Sequence, residues 1–199
     1  MVTALVEGRP VKETAKVNSI FGDQARHYPK KYGEFLYGLG VFGYVLIGSE
    51  LAAGAGVQGQ TFFETPDYSV GGNIRVGGAP TSDGSSFLFG LSFGGRYFFN
   101  HQDISPYLGG GLGFQVISIW SEYEDDDGYG YYNRYERGFS GEVFGANLST
   151  GIELMRLYGS RLDFELRLEL PFNQLHHSDG DGGSRYVVPI SLAAAYSWD

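Results

Sequence analysis

Residues Arg161 to Phe172, RLDFELRLELPF, alternate without a break between apolar and ionic side chains. Leu162, Phe164, Leu166, Leu168, Leu170 and Phe172 form one set, and Arg161, Asp163, Glu165, Arg167 and Glu169 the other. Side chains on a strand point to opposite faces at a period of two, so this stretch makes one apolar and one ionic face. A helix would spread both sets around its circumference. Two environments accept such a strand. In a soluble sheet the ionic face meets water; in a closed barrel the leucines meet lipid and the charges pair inside.

The rest of the chain repeats the pattern. Phe35, Tyr37, Leu39, Val41, Val45 and Ile47 alternate with Gly38, Gly40, Phe42 and Tyr44. Further strands are expected over Leu51–Phe63, Tyr68–Gly78, Phe87–Phe99, Tyr107–Trp120, Val143–Met155 and Tyr186–Trp198, which with the opening stretch makes eight. Their connections read as short turns at Gly48–Glu50, Glu64–Asp67, Asn100–Ser105 and Leu157–Gly159. Ala79–Ser86, the acidic, tyrosine-rich Ser121–Ser140 and the Gly/Asp/His stretch Asn173–Ser184 read as loops. Eight antiparallel strands in chain order, with short turns at one end and the longest loops at the other, predict an all-β, up-and-down transmembrane barrel over residues 32–198. Residues 1–31 are polar and without a clean period, an extension before the barrel.

Three features favour lipid outside. Gly, Ser, Asn and Gln fill the non-apolar face of strand after strand, an odd surface to offer water. The outward aromatics gather at two levels: Tyr37, Tyr68, Tyr97, Phe99, Tyr196 and Trp198 near one rim, and Trp120, Phe172 and Tyr186 near the other. Such girdles anchor a barrel at the two membrane interfaces. The mid-strand charges of the other face balance, with Arg75, Arg96, Arg161 and Arg167 against Glu153, Asp163, Glu165 and Glu169. That balance predicts a neutralised lumen closed to ions, since charge buried without a partner is costly. Arg161 and Arg96 are the residues placed to bridge the opposed acids Glu153 and Asp163. A small passive pore and a soluble lipocalin-like binder are the other readings of the same strands.

This pattern resembles the small eight-stranded outer-membrane barrels of the OmpA, OmpX and OmpW type. The resemblance covers residues 32–198 and implies a Gram-negative envelope protein with a structural, adhesion or interaction role. The ending Tyr196-Ser197-Trp198-Asp199 is similar to the aromatic-ended last strand read by the barrel-assembly machinery, but closes on Asp. The partners implied are outer-membrane lipid, lipopolysaccharide and that machinery, with an extracellular protein or glycan at the 121–140 loop. Residues 1–18 lack an apolar core behind a basic start, so a secretory signal is expected upstream of this sequence.

Other chemistries find little support. A net charge of -9 argues against nucleic acid, and the absence of cysteine excludes thiolate metal sites and cysteine nucleophiles. No cofactor motif occurs. Glu124, Asp125, Asp126 and Asp127 are a weak divalent-cation candidate without EF-hand spacing, and solvation explains them equally well. His176-His177-Ser178 resembles the His and Ser of lipid A 3-O-deacylases, which implies His176 as base and Ser178 as nucleophile. The acid of that triad has no counterpart between Arg185 and Trp198, so the cluster reads as a polar loop and no enzyme activity is expected. Accordingly, Ser178→Ala should leave the lipid A acylation pattern of expressing cells unchanged by mass spectrometry, and loss of a deacylated species would establish catalysis.

Overall fold

The computed structural model describes residues 33–48, 51–81, 84–126, 132–177 and 183–199; the N-terminal extension lies outside these residues. Ten strands follow in chain order: β1 (Glu34–Ile47), β2 (Leu51–Glu64), β3 (Tyr68–Thr81), β4 (Gly84–Phe98), β5 (Ile104–Asp126), β6 (Tyr132–Leu154), β7 (Ser160–Pro171), β8 (Leu175–His177), β9 (Ser184–Arg185) and β10 (Val188–Trp198). Eight of them close a ring. Each of β1 to β6 pairs antiparallel with the next, and β10 lies between β7 and β1. The short β8 adds to β6 beyond the end of β7, and β9 pairs with β8.

The period-two pattern decides which side chains face out. Leu39 opposes Gly59 and Tyr196, and on β7 the apolar set Leu162, Phe164, Leu166 and Leu170 is exposed. Leu39, Phe93, Leu112 and Leu192 are each about two-thirds exposed, at 65%, 65%, 65% and 66%. A continuous apolar exterior of that kind is a lipid-facing surface and removes the soluble, lipocalin-like reading. Tyr37, Tyr68, Tyr97, Phe99, Trp120, Phe172, Tyr186, Tyr196 and Trp198 are all exposed on it. Tyr37 stands opposite Trp198 and Tyr68 opposite Tyr97 near the short-turn rim.

An eight-stranded ring leaves an interior that side chains can fill. Glycine makes the room. A Cβ on Gly54 would lie 2.5 Å from the Tyr44 hydroxyl, and one on Gly151 would lie 2.5 Å from that of Tyr107. These inward glycines are recesses for inward rings.

Three connections differ from the expectations above. Ala79–Ser86 is not a loop: β3 and β4 stay paired to Thr81 and Gly84, with Pro80 opposite Ser85. Ser121–Ser140 is likewise mostly strand. The β5–β6 ladder runs on to Asp126 opposite Tyr132, so only 127–131 lie between the strands. Asn173–Ser184 contains β8, and β9 begins at its last residue. Polar composition misleads here because a ribbon with neither lipid nor lumen to serve can be polar on both faces. Tyrosine favours strands there, and a long antiparallel partner supplies the backbone bonds.

Leu166 lies in the middle of β7, outward and opposite Leu192. Arginine at that depth costs roughly 2–4 kcal/mol in a bilayer. Leu166→Arg should therefore abolish insertion, read as loss of heat-modifiable gel mobility in the membrane fraction.

Candidate functional site

The lumen is the first candidate, and it is built in two layers. Nearest the short turns lies an ionic layer. Arg156 sits in the β6–β7 turn directly after Met155, whose φ of 58° is left-handed. That conformation is uncommon outside glycine and marks a turn held by its surroundings. Its reward is the burial of Arg156, which is 2% exposed. The guanidinium donates to Glu64 Oε1 at 2.9 Å, to the carbonyls of Thr65 and Pro66 at 3.0 and 2.8 Å, and to that of Asn100 at 3.0 Å. It also stacks 3.5 Å from the Phe98 ring centre. One side chain thus ties the three turns of that rim together.

Arg161 comes next. Its guanidinium reaches Glu64 at 2.7 Å and Glu153 at 3.0 Å, and also pairs with Glu34. Glu153 and Asp163 are directly opposed across β6 and β7. Two facing acids repel unless cations intervene. Here the cations are divided: Arg161 takes Glu153, while Arg96 takes Asp163 at 2.8 Å. Arg96 lies between the rings of Phe62 and Tyr107, 4.2 and 4.6 Å from their centres. The Tyr107 hydroxyl donates to Asp163 at 2.8 Å, fixing the carboxylate from the far side.

Glu165 is the hub. Arg75, Arg96 and Arg167 reach it at 3.0, 2.8 and 2.8 Å, and it is 2% exposed. Arg75 also donates to Ser191 and Arg167 to Ser92, each at 2.8 Å. Glu169 lies 3.8 Å from Arg167, at the outer edge of the layer. All eight charges singled out in the sequence are therefore buried in one lumen. Glu34, Glu64, Arg156 and Tyr107 belong to it too. Strand parity with Gly109 and Gly111 would have found Tyr107. Glu64 was hidden by the turn signal of Pro66, and nothing in the sequence marks Arg156.

Toward the other end the lumen turns apolar. Phe42, Tyr44, Leu46, Leu88, Ile117, Val143, Leu175, Val187 and Ala193 form one buried cluster. Leu46 and Ile117 are 0% exposed and Leu175, carried in by β8, is 1% exposed. This cap is absent from the alternation read in the sequence, because apolar residues there occupy both faces.

The second candidate is the far end of the β5–β6 hairpin. β4 last pairs with β5 at Gly84 opposite Ser121, and β7 last pairs with β6 at Pro171 opposite Gly145. Beyond Ser121 the two strands continue as a ribbon. Glu124, Asp125 and Asp126 are strand residues, in register with Arg134, Asn133 and Tyr132. Asp127 lies outside the described residues. His176 is exposed on β8 and registers with Ser140 of β6, whereas Ser178 is outside the described residues.

No protein-family model and no curated protein matches the sequence. Among solved structures the fold is similar to that of Neisserial surface protein A, at 15% identity and a TM-score of 0.63, over 84% of this chain and 99% of that one. It is also similar to the outer membrane protein OprG from Pseudomonas aeruginosa, at 9% identity and a TM-score of 0.54, over 86% and 97% of the two chains. Ail, the attachment invasion locus protein of Yersinia pestis, matches at 15% identity and a TM-score of 0.50, over 84% and 99%. The chain has the fold of the small eight-stranded outer-membrane β-barrels.

Removing one member of a buried ion network leaves an uncompensated charge and costs about 3–5 kcal/mol. Arg96→Ala strips Asp163 of its guanidinium and Glu165 of one of three. Its unfolding midpoint in denaturant should fall accordingly, and a variant as stable as the parent would mean that the pairs contribute little.

Proposed function

We propose that this is a bacterial outer-membrane barrel that acts by display, without catalysis and without a steady channel. The short turns face the periplasm, and outer-membrane lipid and lipopolysaccharide surround the girdled wall. The barrel-assembly machinery reads the last strand during insertion. The β5–β6 ribbon stands outside, where it meets an extracellular protein or glycan.

The observation that carries this reading is the unequal length of the strands. β5 and β6 have 23 residues each, against 14 in β1, β2 and β3. Five residue pairs, Glu122 to Asp126 against Tyr132 to Glu136, extend beyond the last rung shared with β4. At about 3.4 Å per residue that is a stalk of roughly 17 Å. Its composition suits recognition. Residues 121–137 carry six acids against two arginines, interleaved with five tyrosines. Tyrosine brings contact area at low entropic cost, and acids steer a partner with a basic surface.

The interior supports display over transport. Glu165 and its three arginines cross the ring in one layer, and the apolar cap closes the next. A path for ions would have to break the first and wet the second. Planar-bilayer recordings of the intact barrel should therefore show no regular conductance, and a steady channel would overturn this part of the reading. Replacing Glu122–Glu136 with a short Gly-Ser turn should leave heat-modifiable mobility intact but remove binding of expressing cells to matrix proteins or glycans. Binding retained by the shortened barrel would locate the contact elsewhere.

A further inference from the structure

Of the buried side-chain atoms with no protein partner among the described residues, four belong to residues that line two small cavities of the lumen: Arg75 Nε, Gln115 Oε1, Asn73 Oδ1 and Asn147 Nδ2. The residues are 5%, 8%, 7% and 5% exposed. Buried groups of this kind are paired in native proteins, if not with protein then with water. Their positions are not random. Arg75, Gln115 and Asn73 line a cavity of about 10 Å³, together with Ser92, Glu169 and Ser191. Asn73 and Asn147 line a second, of about 20 Å³, together with Ser92, Ser149, Arg96 and Arg167. Each cavity is about the size that one water needs, and each offers the two or more polar partners that hold it.

We propose that these cavities are two specific water sites. The unpartnered atoms sort by chemistry as well as by place. Arg75, with a donor, and Gln115, with an acceptor, line the first cavity; Asn147, with a donor, lines the second, and Asn73, with an acceptor, lines both. One water accepts from Arg75 and donates to Gln115. The other accepts from Asn147 and donates to Asn73, bridging β6 to β3 across the ring. Neighbouring protein bonds set the amide orientations. Gln115 is hydrogen-bonded to Glu169, and Asn73 Nδ2 is 3.5 Å from Gln58 Oε1, so their oxygens are left for the waters.

In the first cavity the site chemistry selects water over an ion of either sign, and in the second it excludes a cation. A cation in either cavity would face the guanidinium of Arg167, and an anion in the first would face the carboxylate of Glu169. Water has both a donor and an acceptor side and carries no charge. The polar layer of the lumen is thus completed by solvent, whereas the apolar cap is dry.

A crystal structure of the intact barrel, at a resolution where ordered waters are seen, tests this directly. One density peak is expected within hydrogen-bond distance of Arg75 Nε and Gln115 Oε1, and another between Asn73 Oδ1 and Asn147 Nδ2. In the Asn147→Leu variant the second peak should vanish and the first remain. In ¹⁵N-labelled protein in micelles, the side-chain amide protons of Asn147 should cross-relax with water, a readout that needs no variant to fold. Absence of both peaks, with Asn73 or Asn147 turned over to pair with protein, would overturn the proposal. So would Asn147 amide protons with no water cross-peak.

Discussion

Hydrocarbon offers no hydrogen bonds, so every backbone N–H and C=O that crosses it must find a partner in the chain. The remaining features follow from that requirement. Strands must pair on both sides, which the β1–β10 and β7–β10 ladders achieve by bringing the last strand back beside the first. Closure at eight strands then fixes a narrow interior. Whatever alternates away from lipid is forced into that space, whether it is glycine, tyrosine or a charge. The ionic layer is a consequence of closure before it is a device.

Buried ion pairs are weak evidence for stability, because desolvation offsets much of their attraction. What they impose is a defined arrangement. Glu165 accepts from three arginines that start on β3, β4 and β7, and Arg161 gathers acids from β1, β2 and β6. Such contacts are satisfied in one register of the ring, since a slip by one residue would turn the charges to lipid. The rings of Phe62 and Tyr107 stack on Arg96 and exclude water from its flanks. Above this layer the apolar cluster around Leu46 and Ile117 holds one polar group, the Tyr44 hydroxyl, which is hydrogen-bonded to Ser86 Oγ at 3.0 Å. The barrel is therefore filled by two different solutions to the same packing problem.

The outside of the molecule carries the inverse constraint. Its apolar residues are exposed because lipid is their solvent, and the aromatic girdles mark where that solvent ends. The ribbon beyond Ser121 runs past the last rungs shared with β4 and β7, so the parity that serves lipid on one side and lumen on the other does not dictate its composition.

The amino-acid sequence by itself determined the wall. Strict alternation in Arg161–Phe172 fixes both faces of β7, and the same parity places Val41, Val57, Val76 and Phe89 outside, where they meet rung by rung. It also places Arg75, Arg96 and Glu153 inside. Parity is a local property, so it is legible wherever the two environments differ in polarity. It fails where they do not: Leu46, Leu88 and Val143 are apolar on the inner face of apolar strands, and the cap they form was invisible. It fails again where pairing is non-local. Whether Ser121–Asp126 is loop or strand depends on Tyr132–Arg137 lying opposite, and which arginine serves Glu153 or Asp163 depends on strands far apart in the chain. Arg156 is the extreme case, a turn residue whose partners come from the end of β2 and from two other turns. Only the closed ring brings those groups within reach, because the distance across the lumen is set by strand number and stagger, which no local stretch of sequence encodes.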